Sequence, residues 1–313
     1  MASTGPKQYT FDLAQERLGS RVVNVASVPH RSPFRYPGGK TWLVPHIRRW
    51  LSSMDTRPHL FAEPFAGGAI VGLSVAFEMR ADTVILVELD DDVAAVWKTI
   101  LGDHGERLAS KIACFALSAE SVRSLLSTPP KGLFEAAFTT IVRNRVQRGG
   151  ILAPGAGLMK RGENGRGLAS RWYPDTLKER ILNIVRIKDR IGFVHGDGIR
   201  FIQENAARED AVFFIDPPYT VSGRRLYSHS DLDHEQLFEV VSKVRGDFIM
   251  TYDNAQPIRD LACRFGLQTR EVPMKSTHHA LMTELLIGRD LRWYDPSPTA
   301  RSSPGYATRT PPS

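Results

Sequence analysis

Short apolar runs alternate with amphipathic stretches along most of the chain. Continuous apolar runs are typical of strands in a parallel sheet covered on both faces, and six are found: HLFAEPF (59–65), TVILVEL (83–89), GFVHGD (192–197), AVFFIDPP (211–218), DFIMTYD (247–253) and TELLIGR (283–289). Helical spacing of apolar residues predicts helices over 40–54, 69–79, 93–101, 199–207, 234–244 and 256–265. Asp233, three residues before Gln236, is typical of a helix start. The alternation predicts an α/β fold with a doubly wound sheet.

Residues 105–190 interrupt this alternation. The stretches KGLFEAAFTTIVRNRVQ (131–147) and PDTLKERILNIVRI (174–187) predict helices, and the Gly-rich stretch RGGILAPGAGLMKRGENGRG (148–167) lies between them. We therefore predict a helical insertion over 105–190 within a domain formed by 31–104 and 191–290. Weak periodicity in 1–30 and abundant Pro, Ser and Thr in 294–313 predict flexible ends.

The positive charge is concentrated in the predicted insertion. The chain has a formal net charge of +7, and residues 143–190 contain 12 Lys or Arg against four acids, so the remainder is nearly neutral. Confined basic charge indicates a footprint for phosphates. A solvated helix face is the alternative, which suits residues 178–190 better than the Gly-rich stretch, where backbone and arginines can adapt to a partner.

Composition excludes several classes of protein. Hydrophobic residues make up 42% and charged residues 24%, as in ordinary globular proteins, and no apolar run approaches the ~20 residues of a membrane span. The N-terminal stretch lacks the apolar core of a signal peptide, so we expect a cytoplasmic protein. Cys114 and Cys263 lie in separate apolar stretches without metal-ligand spacing, which predicts buried side chains, no metal site and no disulfide.

The stretch FRYPGGKT (34–41) ends like a phosphate-binding P-loop. A P-loop needs a glycine where this chain has Phe34, and it follows a buried strand, whereas VASVPHRSP precedes it here. A triphosphate site is therefore disfavoured.

The turns after the first two predicted strands indicate a nucleoside-containing cofactor. Glu63-Pro64-Phe65-Ala66-Gly67-Gly68 follows the first, and glycines there allow close approach of a ligand to a helix N-terminus. Glu88 and Asp90 follow the second, about 20 residues on, a spacing typical of a carboxylate that binds ribose. Glycine turns alone are weak evidence, because many serve only packing.

Asp216-Pro217-Pro218-Tyr219 follows the apolar run AVFFI. The prolines fix the backbone and remove N–H donors, the carboxylate accepts hydrogen bonds, and the ring can stack on a base. A stiff loop is the structural alternative, but it leaves the acid after five apolar residues unexplained. The set suits capture of a planar amine, with Asp216 and a backbone carbonyl accepting its two N–H bonds.

FRYPGGK, EPFAGG, the acids after the second strand and DPPY, in this order with a helical insertion before DPPY, resemble the Dam-type (α-class) site-specific N6-adenine DNA methyltransferases. The resemblance extends over about 33–289. It implies a Rossmann-like, S-adenosylmethionine-dependent methyltransferase sheet with 105–190 as the target-recognition insertion. It also implies that the GGK loop belongs to the S-adenosylmethionine site.

The resemblance implies roles for individual residues. Tyr36 and Lys40 would contact the cofactor. Residues 63–68, with Glu63, Phe65, Gly67 and Gly68, would form the main loop that binds the cofactor. Glu88 with Asp90 would hold the cofactor's ribose, and Asp197 would lie near its adenine ring. Asp216, also next to the cofactor, would hold the target adenine with the Pro217 carbonyl and Tyr219. Two positions depart from the family pattern: Ala69 stands where glycine is frequent, and Glu88 where aspartate is frequent.

The activity implied is transfer of the cofactor's methyl group to N6 of a flipped-out adenine in double-stranded DNA, without a metal. The expected DNA-binding residues are Arg143, Asn144, Arg145, Arg148, Lys160, Arg161, Arg166, Arg171 and Lys275. The partners implied are double-stranded DNA and a cognate restriction endonuclease, with no membrane, and we expect a monomer. An RNA adenine methyltransferase and a non-catalytic DNA-binding relic of the fold remain as alternatives.

Overall fold

The structure is a computed structural model that describes residues 28–35, 39–153, 155–162, 165–218, 232–275 and 281–294. Its central feature is a seven-stranded sheet of order β3-β2-β1-β4-β5-β7-β6. The strands are β1 (Leu60–Glu63), β2 (Thr83–Glu88), β3 (Ile191–His195), β4 (Ala211–Ile215), β5 (Asp247–Asp253), β6 (Gln268–Lys275) and β7 (Leu281–Gly288). The five strands β1 to β5 are parallel to one another, and β7 joins β5 in the antiparallel direction.

All six strands predicted from apolar runs are present, and β6 was missed. Its sequence QTREVPMK carries charged and polar residues at most positions, which masks the strand pattern. It lies at the edge of the sheet and pairs only with β7, so it needs apolar residues on one face alone.

Helices cover both faces of the sheet. They are α1 (Val44–Ser52), α2 (Ile70–Phe77), α3 (Asp91–Leu101), α4 (Gly105–Cys114), α5 (Ala119–Ser127), α6 (Leu133–Val146), α7 (Pro174–Arg186), α8 (Gly198–Asn205), α9 (His234–Ser242) and α10 (Gln256–Arg264). Neighbouring strand residues point to opposite faces, and the neighbours Phe213 and Phe214 in β4 accordingly belong to two different apolar clusters. The predicted α/β class with a doubly wound sheet is therefore confirmed.

Residues 105–190 contain α4, α5, α6 and α7, of which α4 packs on α7 and α6 packs on α3. Leu108, Phe138 and Leu177 from this segment are buried in the same apolar cluster as Trp97 of α3 and Phe61 of β1. The helices of the segment therefore share a core with one face of the sheet. The assignment of 105–190 as a separate target-recognition unit stays a prediction.

The two cysteines are not where the sequence predicts them. Cys114 and Cys263 were predicted to be buried, but both are exposed, because each lies near the end of an amphipathic helix and outside its apolar face. The start of α9 does agree with the sequence, since the Asp233 side chain accepts a hydrogen bond from the Gln236 backbone N–H (2.9 Å). Across the described ranges, no helix has the length and apolar character needed to span a membrane.

Candidate active site at the carboxyl ends of the strands

A cavity of about 230 Å³ lies where the parallel strands end. Its walls include residues that follow β1, β2, β3 and β4, as expected for ligand sites in open parallel sheets. The predicted residues that line it are Lys40, Glu63, Phe65, Gly67, Gly68, Glu88, Asp90, Asp197 and Asp216. The sheet therefore brings together residues that lie up to 176 positions apart in the sequence.

The turn between β1 and α2 has left-handed backbone at two positions. Gly67 has a φ of 46° and Ala69 a φ of 50°. The Gly67 carbonyl accepts a hydrogen bond from Trp97 Nε1 (2.9 Å), and the Gly67 N–H donates to Glu88 Oε2 (2.8 Å). The turn is thus held from α3 on one side and from the end of β2 on the other.

The carboxylate of Glu88 lines the cavity and accepts hydrogen bonds from the backbone around it. Its Oε1 accepts hydrogen bonds from the backbone N–H groups of Leu89 and Asp90, both at 2.9 Å. Burial raises the pKa of the Glu88 carboxyl, although the backbone donors of Asp90, Gly67 and Leu89 oppose that change. Asp90 caps α3, since its side chain accepts from the N–H groups of Asp92 and Val93.

Glu63 lies beneath the same turn and is 4% exposed. Its Oε2 accepts a hydrogen bond from the Gly72 N–H at 2.6 Å. A Cβ on Gly72 would approach the same oxygen to 2.6 Å, so α2 can pack this closely only with glycine there. Burial raises the pKa of Glu63 well above its ordinary value, with Asp216 and Glu88 adding to the effect and Lys40 opposing it.

Asp216 follows β4 and belongs to a network of charged and polar side chains. Its Oδ1 lies 3.0 Å from Lys40 Nζ and accepts a hydrogen bond from Thr251 Oγ1 at 2.8 Å. Lys40, 4% exposed, also lies 3.5 Å from Glu284 Oε2. Burial lowers the pKa of Lys40, but the carboxylates of Asp216 and Glu284 outweigh burial and raise it. The network fixes Asp216 before any ligand arrives.

The other predicted residues of the site have separate positions. Asp197 caps α8 by accepting from the Arg200 N–H (2.8 Å), and Pro217 is buried directly after Asp216. Phe65 is partly buried at the cavity wall. Tyr36 and Tyr219 lie outside the described residues.

The residues expected to bind DNA fall into two groups. Arg143 forms an ion pair with Asp92 of α3 (2.6 Å), while Asn144 and Arg145 are buried. The Asn144 amide accepts from the Arg35 N–H (2.8 Å) and donates to the carbonyls of Arg35 (2.8 Å) and Gly150 (2.7 Å). Asn144 is therefore not placed to contact DNA in this structure.

The second group is accessible to solvent. Arg148, Lys160, Arg161 and Arg166 are exposed, and Arg171 is partly exposed. An antiparallel bridge between Gln147 and Leu158 holds the two ends of the first part of the Gly-rich stretch together. Lys275 ends β6, and its side chain is outside the described part of the chain.

Thr251, Glu284 and Trp97 are site residues that the sequence analysis did not identify. Thr251 and Glu284 are polar residues inside the apolar strands DFIMTYD and TELLIG, and such interruptions signal a buried polar contact. Trp97 carried no signal, because a tryptophan on the apolar side of a helix is usually a core residue.

Within the described residues, no group of three or more His, Cys, Asp or Glu side chains could hold a metal ion. Residues 36–124 match the family model for D12 class N6 adenine-specific DNA methyltransferases. A comparison with curated proteins gave no match.

Solved structures of low similarity include three methyltransferases. One, from Geobacter sulfurreducens, is 12% identical, with 92% of this chain and 91% of that chain covered and a TM-score of 0.36. The tRNA methyltransferase TrmK from B. subtilis is 10% identical (77% and 63% covered, TM-score 0.34). TrmK from M. capricolum, solved with S-adenosyl-homocysteine, is 6% identical (78% and 68% covered, TM-score 0.35). At these TM-scores the likenesses do not bear on substrate or activity.

The family match begins at Tyr36 and includes the glycine turn, Glu88 and Asp90, so it covers the residues that form one side of the cavity. It confirms over residues 36–124 the resemblance that the motifs predict, and it identifies the chain as a methyltransferase that matches the D12 class of N6-adenine enzymes over that range.

Proposed function

We propose that this methyltransferase transfers the methyl group of S-adenosylmethionine to N6 of an adenine in double-stranded DNA. The observation that carries the proposal is the position of Asp216. Its carboxylate, held by Lys40 and Thr251, lines the same cavity as the glycine turn and Glu88. The residues proposed to accept the amine and those proposed to bind the nucleoside cofactor therefore line one cavity.

The residues of the cavity fit S-adenosylmethionine. Gly67 and Gly68 allow close approach of a ligand, and the end of β2 offers the carboxylate of Glu88 for ribose hydroxyls. Both Glu88 oxygens already accept backbone hydrogen bonds, so the carboxylate is oriented in advance. When bound, the cofactor supplies a methyl group on a positively charged sulfur.

Asp216 and the Pro217 carbonyl suit the amino group of adenine. The lone pair of N6 is delocalised into the ring, so the amine is a poor nucleophile in the ground state. Two acceptors favour localisation of that lone pair and stabilise the positive charge that develops on nitrogen, an effect that is strongest where water is excluded. Lys40 and Thr251 keep Asp216 oriented and prevent it from turning away.

The exposed basic residues support a nucleic-acid substrate. Arg148, Lys160, Arg161 and Arg166 project from the Gly-rich stretch, and Arg166 lies over the ring of the exposed Tyr173, 5.8 Å from its centroid. Arginine and lysine supply most contacts to phosphates. N6 is inaccessible inside a stacked duplex, so the proposal includes extrusion of the target base into the cavity.

The test is to incubate the purified protein with methyl-labelled S-adenosylmethionine and either unmethylated genomic DNA or RNA transcribed from the same sequences. We expect label in DNA as N6-methyladenine, confined to one short sequence motif and absent with Asp216→Ala. Label in RNA alone would identify an RNA methyltransferase. DNA binding with neither cofactor binding nor methyl transfer would identify a non-catalytic relic and refute the proposal.

A further inference from the structure

Two arginines from distant helices converge on residues 32–35, at the edge of the cavity, and Arg35 of this segment is the third member of the cluster. Arg145 of α6 donates to the Pro33 carbonyl, and Arg180 of α7 donates to the Ser32 carbonyl at 3.1 Å. Arg35 is fixed through its backbone, which exchanges two hydrogen bonds with the Asn144 amide. The guanidinium groups of Arg35 and Arg180 are both near enough to Arg145 for their charges to lower its pKa, so the three groups form one cluster.

The three members of this cluster are all positively charged. Among the described residues, none of the ion pairs formed by acidic side chains includes Arg35, Arg145 or Arg180. Arg145 is 5% exposed, and its Nε has no hydrogen-bond partner in the described part of the chain; the same holds for the buried NH1 of Arg35. Burial lowers the pKa of Arg145 to about 9, with the charges of Arg180, Arg35 and Arg171 adding to the effect. Like charges gathered in this way raise the local positive potential.

The cluster connects the cavity with the basic surface. Arg180 lines the cavity, together with Ser32 and Asp216. On the other side, burial lowers the pKa of Arg35, the nearby charge of Arg171 adds to the effect, and Tyr173 opposes it. Arg166 lies over the ring of Tyr173. Arg35 and Arg180 are only partly buried, so they can contact a ligand directly while Arg145 strengthens the potential behind them.

From this arrangement we infer that Arg35, Arg145 and Arg180 form a binding site for a phosphodiester group of the nucleic-acid substrate, next to the cavity that contains Asp216. The inference rests on the proposed function in taking the substrate to be a nucleic acid. One guanidinium group can donate two parallel hydrogen bonds to two oxygens of a phosphate. It therefore fixes the position of the phosphate as well as neutralising its charge. A phosphate held here would fix the strand next to an extruded base, close to residues 32–35 and the Lys40 that follows them.

The first arm of the test needs no assumption about catalysis. The thermal midpoint is measured in inorganic phosphate and in chloride at equal ionic strength, for the wild type, Arg180→Gln and Arg186→Gln. Arg186 is the matched control, because it is an exposed arginine on the same helix whose side chain donates to Asn183 (2.5 Å). We expect phosphate to raise the midpoint by about 2 °C or more in the wild type and Arg186→Gln, and not in Arg180→Gln.

The second arm measures binding of a fluorescent mixed-sequence DNA duplex by fluorescence anisotropy at salt concentrations from about 50 to about 200 mM, because affinity that depends on phosphate contacts falls steeply over this range. Arg180→Gln should weaken binding about tenfold and reduce the salt slope by about one, as expected for one lost phosphate contact. Arg180→Lys should recover part of the affinity, because it restores charge without paired donors. Affinity for S-adenosyl-homocysteine is measured in parallel, and it should fall much less than the affinity for DNA.

Three outcomes would overturn the inference. Arg180→Gln could bind the DNA duplex as tightly as the wild type does, or phosphate could stabilise all three proteins equally. Alternatively, Arg180→Gln could weaken S-adenosyl-homocysteine binding and leave DNA binding unchanged, which would assign the cluster to the cofactor carboxylate. If the wild type methylates RNA and not DNA, the proposed function fails, but the phosphate arm and an RNA duplex in the second arm still decide the inference.

Discussion

Lys40 and Arg145 are both buried cations, but their charged surroundings differ. Lys40 lies between Asp216 and Glu284, so its charge is compensated within the protein. Arg145, equally buried, has arginines as its charged neighbours and donates to the Pro33 carbonyl. A region with balanced charge is fixed before a ligand binds, whereas a region with excess positive charge gains stability when an anion binds. The first arrangement suits catalysis, and the second suits recognition of a phosphate.

Removing each cation in turn tests this comparison most strongly. Lys40→Met leaves buried carboxylates without their cation, so we expect the free energy of unfolding to fall by about 3–5 kcal/mol. Arg145→Met relieves repulsion and loses one hydrogen bond, so the net loss should be about 1 kcal/mol or less. Urea unfolding at neutral pH measures both. Equal losses would mean that Arg145 is compensated as fully as Lys40, and the comparison would fail.

Asp216→Asn tests whether the balanced region serves catalysis. The amide is less able to stabilise positive charge on the substrate nitrogen, so we expect kcat to fall by about 10²–10³-fold. Cofactor affinity should change by less than about threefold, because Glu88 and the glycine turn are intact. Single-turnover methyl transfer and titration with S-adenosyl-homocysteine measure the two effects separately.

Asp210→Asn is the matched control for this substitution. Asp210 precedes the same strand at its opposite end and is paired with Arg208 (2.9 Å) on the surface. Methyl transfer should stay within about twofold of the wild type in this control. A similar loss in both variants would show that the effect of Asp216→Asn is structural.

His46 sharpens the comparison, because it is a partly buried group that can become a cation but that the fold keeps neutral at neutral pH. Burial lowers the pKa of His46 from 6.5 to about 4, with the charge of Arg49 adding to the effect. The folded state thus favours the neutral ring, so stability is lost as the pH falls from about 6.5 to about 4. Since the ring is partly exposed, we expect its share of that loss to be about 2 kcal/mol.

His46→Phe should remove this share of the pH dependence while other groups continue to titrate. The measurement is the difference in unfolding free energy between wild type and variant, taken at pH about 7 and at pH about 4.5. The first pH lies above the ordinary pKa of histidine, and the second lies between that value and the pKa of His46 in the folded protein. As the pH falls, the free energy of unfolding should decrease less in the variant than in the wild type. An unchanged difference would show that His46 ionises in the folded protein as easily as in the unfolded chain.

Ala69→Gly is expected to have the smallest effect. A left-handed residue with a side chain costs about 1–2 kcal/mol, and glycine loses about 0.5–1 kcal/mol through unfolded-state entropy. The variant should therefore be more stable by about 1 kcal/mol or less, as measured by urea unfolding. Ala66→Gly is the control, because Ala66 lacks a positive φ and should be destabilised. A loss of stability in both variants would contradict the strain at Ala69.

The sequence alone predicted the fold class and one side of the site. Apolar runs identified six of the seven strands, and the positions at their ends contain Glu63, Glu88 and Asp216, because strand ends in a parallel sheet converge on one edge. The edge strand β6 was missed because its polar residues conceal it. Motif order gave the family resemblance, since it depends only on residue identity and spacing.

Only the tertiary structure decided which partners these residues have. Glu284 and Thr251 reach Lys40 and Asp216 across strands far apart in sequence, and no local pattern encodes such contacts. The same holds for Asn144 and Arg145, whose sequence suggests a surface that binds DNA but whose side chains are buried against residues 33–35. Residue types and periodicity are local properties, whereas burial and charge compensation depend on the packing of distant segments.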